Sequence, residues 1–246
     1  MLAFHHGDRD ATIVVYDDFE RDEAPISYFF RGPELFPPVE QLALELCRGR
    51  VLDVGAGAGC HSLALQQRGM EVTAIEVLPG LVKILRERGV RDVRQASWQT
   101  LDAEPYDTVL LLMNGLGLAE TLVGLRRFLG DIRRLLRPGG QVLADSTDVR
   151  TRMDPTARRT GRVRRWDGRY IGDLHFQLEF NGRKADPFPQ LYVDPETLTR
   201  YAEEEGWSCE IVSQRDKYGN YLARLLPSVS DESQPRPRLD QRRRSN

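Results

Sequence analysis

Three glycines at alternate positions, Gly55, Gly57 and Gly59, lie within the stretch RVLDVGAGAGCHSLAL at residues 50–65. Glycine lacks the Cβ that would keep a ligand away from the backbone. A glycine turn between an apolar, strand-like run and a helix-like run can therefore hold a nucleotide. The bare alternative is a tight strand–helix turn with no ligand. A second residue argues against that alternative: Glu76 ends the next apolar run, where its carboxylate can accept hydrogen bonds from both hydroxyls of a ribose. Dinucleotide binders space their glycines G-x-G-x-x-G, which seats a pyrophosphate on a helix N-terminus. Here the spacing is G-x-G-x-G, and Cys60 takes the place of the third dinucleotide glycine. Asp53, two residues before Gly55, would repel a pyrophosphate by like charge but suits a cationic amino-acid ligand.

The elements that must position these residues alternate. Buried strands are read at VLDVG, EVTAIEV, VRDVRQAS, YDTVLLLMNGLG and QVLADST, with helices at CHSLALQQRG, PGLVKILRERG and ETLVGLRRFLGDIRRLLRPGG between them. Strands that alternate with helices imply parallel βαβ units covered on both faces. A helix at VEQLALELC precedes them. After Thr147 the rhythm changes. RYIGDLHFQLEFNGR reads as an antiparallel strand turning at Asn181-Gly182, FPQLYVD as its return partner, and DPETLTRYAEEEG as a helix with Asp194 as N-cap. WSCEIVS and YLARLLP are two last strands.

The stretch VLDVGAGAG resembles motif I of the class I S-adenosylmethionine (SAM)-dependent methyltransferases. The resemblance runs from about Val51 to Thr147 through AIEV, QASW, YDTVLLLMNGLG and LLRPGGQVLAD, and resumes at the last two strands. It implies an α/β fold: a doubly wound, Rossmann-like, seven-stranded, mostly parallel sheet with an antiparallel last strand, here with a β-hairpin inserted after the fifth strand. It also implies SAM as cofactor and S-adenosylhomocysteine (SAH) as product. Asp53 and the backbone of Gly55, Ala56, Gly57 and Gly59 would hold the methionine part of SAM. Glu76 would bind the ribose, with Val77 beside the adenine and Ser97 and Trp98 at its edge. Asn114 would follow the fourth strand at the reaction face. An N-terminal segment carrying Tyr28 and Arg31 would close over the site, where Arg31 pairs with the SAM carboxylate or with an anionic substrate.

Methyl transfer from a sulfonium needs alignment above all, and a base only if the acceptor must lose a proton. The candidate catalytic residues are Asn114, which can orient an amine or hydroxyl, and Asp148, a candidate base just past the fifth strand. Asp145 lies on the same face. His61 is read as a helix-start residue near the cofactor and His175 as a solvated strand residue. The loop MNGLG is not the Asn-Pro-Pro-Tyr type that marks methylation of base amino groups.

Residues 1–36 are expected to form an acidic arm or lid, 37–227 the methyltransferase domain with 148–194 as a substrate-covering insertion, and 228–246 a disordered tail. The net charge is −2, which argues against an electrostatic nucleic-acid binder. Residues 150–169 hold eight Arg, but the whole chain favours Arg over Lys, so this insertion is weak evidence for RNA. Three cysteines without C-x-x-C pairing give no disulfide framework and no zinc site. No apolar run reaches the ~18 residues that span a bilayer, and the N-terminus does not read as a secretory signal. The expectation is a cytoplasmic monomer or homodimer, without a membrane partner, that methylates a small molecule. Alternatives are an RNA or protein methyltransferase on the same core, and a non-catalytic nucleotide-binding or NAD(P)-dependent Rossmann protein.

Overall fold

A computed structural model describes residues 1–102, 104–152, 168–213 and 215–228. The strands are β1 (Thr12–Tyr16), β2 (Arg21–Pro25), β3 (Arg50–Val54), β4 (Glu71–Glu76), β5 (Asp92–Gln95), β6 (Tyr106–Leu111), β7 (Leu136–Thr147), β8 (Asp173–Phe180), β9 (Arg183–Lys184), β10 (Phe188–Leu191), β11 (Trp207–Ile211) and β12 (Asn220–Pro227). The helices are α1 (Leu2–His5), α2 (Pro38–Leu46), α3 (Cys60–Gln67), α4 (Pro79–Glu87), α5 (Leu122–Ile132) and α6 (Pro195–Glu204).

Seven strands form the main sheet in the order β11-β12-β7-β6-β3-β4-β5. All neighbours from β7 to β5 run parallel. β12 enters antiparallel between β7 and β11. Alternate side chains feed two cores, as strands covered on both faces require. Leu52, Val109, Val142 and Ala223 pack with Leu125 and Leu129 of α5 and Leu198 of α6. Their neighbours Val51, Leu110, Leu143 and Leu222 pack with Leu44 of α2 and Leu65 of α3. The helix starts follow ordinary capping chemistry. Thr121 accepts from the Gly124 N–H at 3.1 Å, and Asp194 accepts from the Thr197 N–H at 2.9 Å. The stretch LRPGG, expected to stop a helix, instead begins the long strand β7.

A second sheet has the order β10-β8-β1-β2, with β9 also on β8. It corrects the expected N-terminal arm: residues 12–25 are a hairpin, and β1 pairs antiparallel with β8 of the insertion. Tyr16 hydroxyl donates to Glu179 at 2.8 Å across that junction. β8 turns into β9 through Asn181 (φ 49°) and Gly182 (φ 72°), the two left-handed residues of a type I′ turn. The return segment is fastened to the main sheet. Val193 N–H donates to Ser146 Oγ at 3.0 Å, and Tyr221 hydroxyl donates to the Val193 carbonyl at 2.7 Å. Residues 153–167, the bulk of the Arg-rich part of the insertion, and the tail from 229 onward lie outside the described residues.

Candidate active site

Gly55, Gly57 and Gly59 close the turn from β3 to α3 with φ of 70°, 58° and 85°. L side chains lose roughly 1–2 kcal/mol per residue in this region. A Cβ on Gly57 would meet only the Gly55 carbonyl, at 3.9 Å, so conformation rather than crowding demands glycine there. The loop borders a cavity of about 240 Å³ lined by Asp53, Gly57, His61, Met113, Gly115 and Gln190, among others.

Glu76 ends β4 beside this loop. One carboxylate oxygen accepts from the Val77 and Leu78 N–H groups at 2.8 and 3.2 Å, and the other accepts from the Gly57 N–H at 3.2 Å. Val77 and Leu78, 54% and 57% exposed, form an apolar shelf next to it. Asp53 is buried and accepts from Ser62 Oγ at 2.5 Å. Burial raises its pKa, against the opposing pull of His61 and Ser62.

A second cavity of about 430 Å³ shares Met113 and Asn114 with the first. Tyr28, Val39, Glu40, Asp145 and Tyr192 contribute to its walls. A buried ion cluster stands between the two. Arg31 Nη2 donates to both oxygens of Glu40 at 2.5 and 2.6 Å, and His61 Nε2 lies 2.8 Å from the same carboxylate. Burial opposes a charge on His61, but hydrogen bonds to Cys60 and Glu40 outweigh it and raise its pKa to about 10. Arg31 also stacks 3.8 Å over the Tyr28 ring. Its Nε is buried with no hydrogen-bond partner among the described residues.

Asp145, at the end of β7, accepts from the Met113 N–H at 3.1 Å and the Gly115 N–H at 2.9 Å. Burial lifts its pKa to about 6 against these backbone bonds. Asn114 is held structurally: its amide donates to the Leu191 carbonyl at 3.1 Å and accepts from Ser146 Oγ at 3.0 Å. These two bonds fix the side chain in the wall that both cavities share.

Three expected placements change. Asp148 is held by Arg150 at 2.8 Å on each oxygen and also by Arg215. It lines a neighbouring charged cleft with Glu196 and Asp216, and a carboxylate between two guanidinium groups is a poor base. The Trp98 ring lies in the core, edge-on to Phe128 at 5.2 Å, and does not border the glycine-lined cavity; Ser97 is half-buried, with its hydroxyl 3.1 Å from Thr100 Oγ1. Arg31, expected to meet a ligand carboxylate, is paired with the Glu40 carboxylate. Glu40 escaped the sequence reading because an acid in the first turn of a helix is ordinary dipole chemistry.

The residues present fit SAM. The Asp53 carboxylate stands in the wall of the glycine-lined cavity, and Glu76 holds the same glycine turn from outside that wall through the Gly57 N–H; carboxylates at this end disfavour a pyrophosphate and suit a cation that carries a diol.

Comparison with known proteins agrees. A "Methyltransferase domain" family matches residues 52–144. A SAM-dependent methyltransferase from Bacteroides fragilis, solved in complex with S-adenosyl-L-homocysteine, is 36% identical, with a TM-score of 0.80 and coverage of 92% of each chain. The ubiquinone biosynthesis O-methyltransferase of Xanthomonas euvesicatoria pv. vesicatoria is 37% identical over 107 residues, 40% of this chain and 43% of that protein. The chain thus spans less than half the length of that curated relative. The CcbJ methyltransferase of Streptomyces caelestis, 18% identical with a TM-score of 0.60 over 82% of this chain and 95% of that one, shares the fold. With motif, cavity and a relative similar along nearly its whole length in agreement, the chain belongs to the SAM-dependent methyltransferases.

Proposed function

We propose that the protein methylates a small-molecule acceptor seated in the cavity of about 430 Å³, with SAM in the glycine-lined cavity. The observation that carries this reading is the wall the two cavities share, Met113 and Asn114. A volume of this size is ordinary for small-molecule pockets. When bound, SAM supplies a methyl group on a positively charged sulfur. Glu76 accepts from the ribose, and Asp53 offset by Ser62 faces the cationic end. Tyr28, Val39 and Tyr192 exclude water around the acceptor, which strengthens every charge interaction there. Alignment of this kind is worth ~7–11 kcal/mol of barrier, so the fold needs no covalent chemistry of its own.

Two measurements test this. Calorimetry should show SAH binding one-to-one and no binding of NAD; the reverse result removes the reading. Methyl-labelled SAM added with the protein to a cell extract should place its label in the low-molecular-mass fraction. Label in RNA or protein, with steeply salt-dependent binding of RNA, would move the acceptor to a polymer.

A further inference from the structure

Two consecutive non-glycine residues, Met113 (φ 64°) and Asn114 (φ 59°), adopt the left-handed conformation in the turn after β6. L residues seldom do so, and such strain persists only where the surroundings hold it. Four contacts hold it here. The Met113 and Gly115 N–H groups both donate to the Asp145 carboxylate, at 3.1 and 2.9 Å. The Asn114 side chain is fixed to Leu191 on one side and Ser146 on the other. Met113 and Asn114 line both cavities, and Gly115 lines the glycine-lined one.

We infer that Asp145 is a positioning residue: its ionised carboxylate clamps the strained Met113–Gly115 turn, and cofactor affinity depends on that clamp. The inference rests on reading the glycine-lined cavity as the SAM site. Each carboxylate oxygen receives one N–H. Protonation turns one oxygen into a hydroxyl, a poor acceptor that sets its own hydrogen against an N–H, so the turn loses half of its clamp. The wall of the cofactor cavity then relaxes.

Among the described residues, the ionisable groups that act on Asp145 are Glu40 from α2, His61 from α3, Tyr28 from the segment before α2 and Tyr192 from the segment after β10, and Arg152, Lys217 and Tyr218 line the same cavity. His61 keeps its charge to about pH 10, burial raises both tyrosines, and Glu40 is tied to Arg31 and His61. Asp145 itself titrates near 6, within the range of a binding experiment. Asp53 lines the same cofactor cavity and is also raised by burial, so a variant at Asp145 is needed to separate the two.

The experiment is SAH binding by calorimetry between pH 5 and 7.5, on the full chain and on Asp145→Asn. In the natural protein affinity should fall about tenfold per pH unit below the Asp145 midpoint. Asp145→Asn should bind weakly throughout and show no slope. Equal slopes in both proteins assign the dependence to Asp53 and overturn the inference. An unchanged affinity in the natural protein from pH 7.5 to 5 also overturns it, while SAM-site assignment stands. No SAH binding at pH 7.5 removes both. If Asp145→Asn does not fold, the amide resonances of Met113 and Gly115 in the natural protein decide: they should titrate together with a midpoint near 6, and flat resonances refute the clamp.

Discussion

Replacing Glu76 tests the cofactor assignment most directly. Its carboxylate has about four lone-pair sites. Three are taken by the N–H groups of Gly57, Val77 and Leu78. The oxygen facing Gly57 accepts a single bond, which leaves room for one ribose hydroxyl. A hydrogen bond to a charged acceptor contributes ~1.5–3 kcal/mol, so Glu76→Ala should weaken SAH binding by roughly 10- to 150-fold. Stability should change little, because the N–H groups of exposed Val77 and Leu78 turn to water. The assay is calorimetry with SAH and with an SAH analogue whose ribose lacks both hydroxyls. The natural protein should prefer SAH and Glu76→Ala should bind the two nearly alike. If Glu76→Ala binds SAH within twofold of the natural protein, the ribose assignment is wrong. An equal loss for both ligands would mean that Glu76 acts only by shaping the glycine turn.

Other substitutions separate packing from binding. Trp98→Ala should cost ~3–5 kcal/mol of stability, the loss expected of a buried aromatic, in thermal or denaturant unfolding, yet leave SAH affinity of the remaining folded protein within about threefold; a selective loss of affinity would return Trp98 to the adenine site. Glu40→Ala leaves Arg31 and His61 buried without their shared anion, and removing one member of a buried ion cluster costs ~3–5 kcal/mol; an unfolding midpoint equal to that of the natural protein would contradict this. His61 has a folded-state pKa raised from 6.5 to about 10, so its contribution is full below about 6.5 and is lost as pH rises through 10. The unfolding midpoint should therefore fall between pH 7 and 10 in the natural protein and change less in His61→Gln; parallel curves would refute the charged pair.

What could be read in the sequence was whatever depends on neighbours along the chain. The alternating apolar runs specify parallel strands buried on both faces, and the glycines with Glu76 specify a nucleotide end to the sheet. Pairings between distant segments have no such signature. Residues 12–25 carry so many charges that they read as an arm, and it is β8, far along the chain, that ties their hairpin into a sheet. Asp148 looks like a base until Arg215, 67 residues away, reaches it. Trp98 follows a strand as an adenine contact would, but Phe128 on α5 offers its ring a drier place.

The second sheet also sets an order of events during synthesis. β1 finds its second partner only when β8 exists, and Val14 pairs with Glu179. At ~5–20 residues per second, the ribosome needs roughly 8–33 seconds to make the intervening chain. Throughout that wait the hairpin of β1 and β2 leaves one edge of β1 open, the kind of edge on which other chains nucleate. The hairpin carries Asp17, Asp18, Glu20, Asp22 and Glu23, and charge of one sign beside an open edge disfavours pairing with a second copy of that edge.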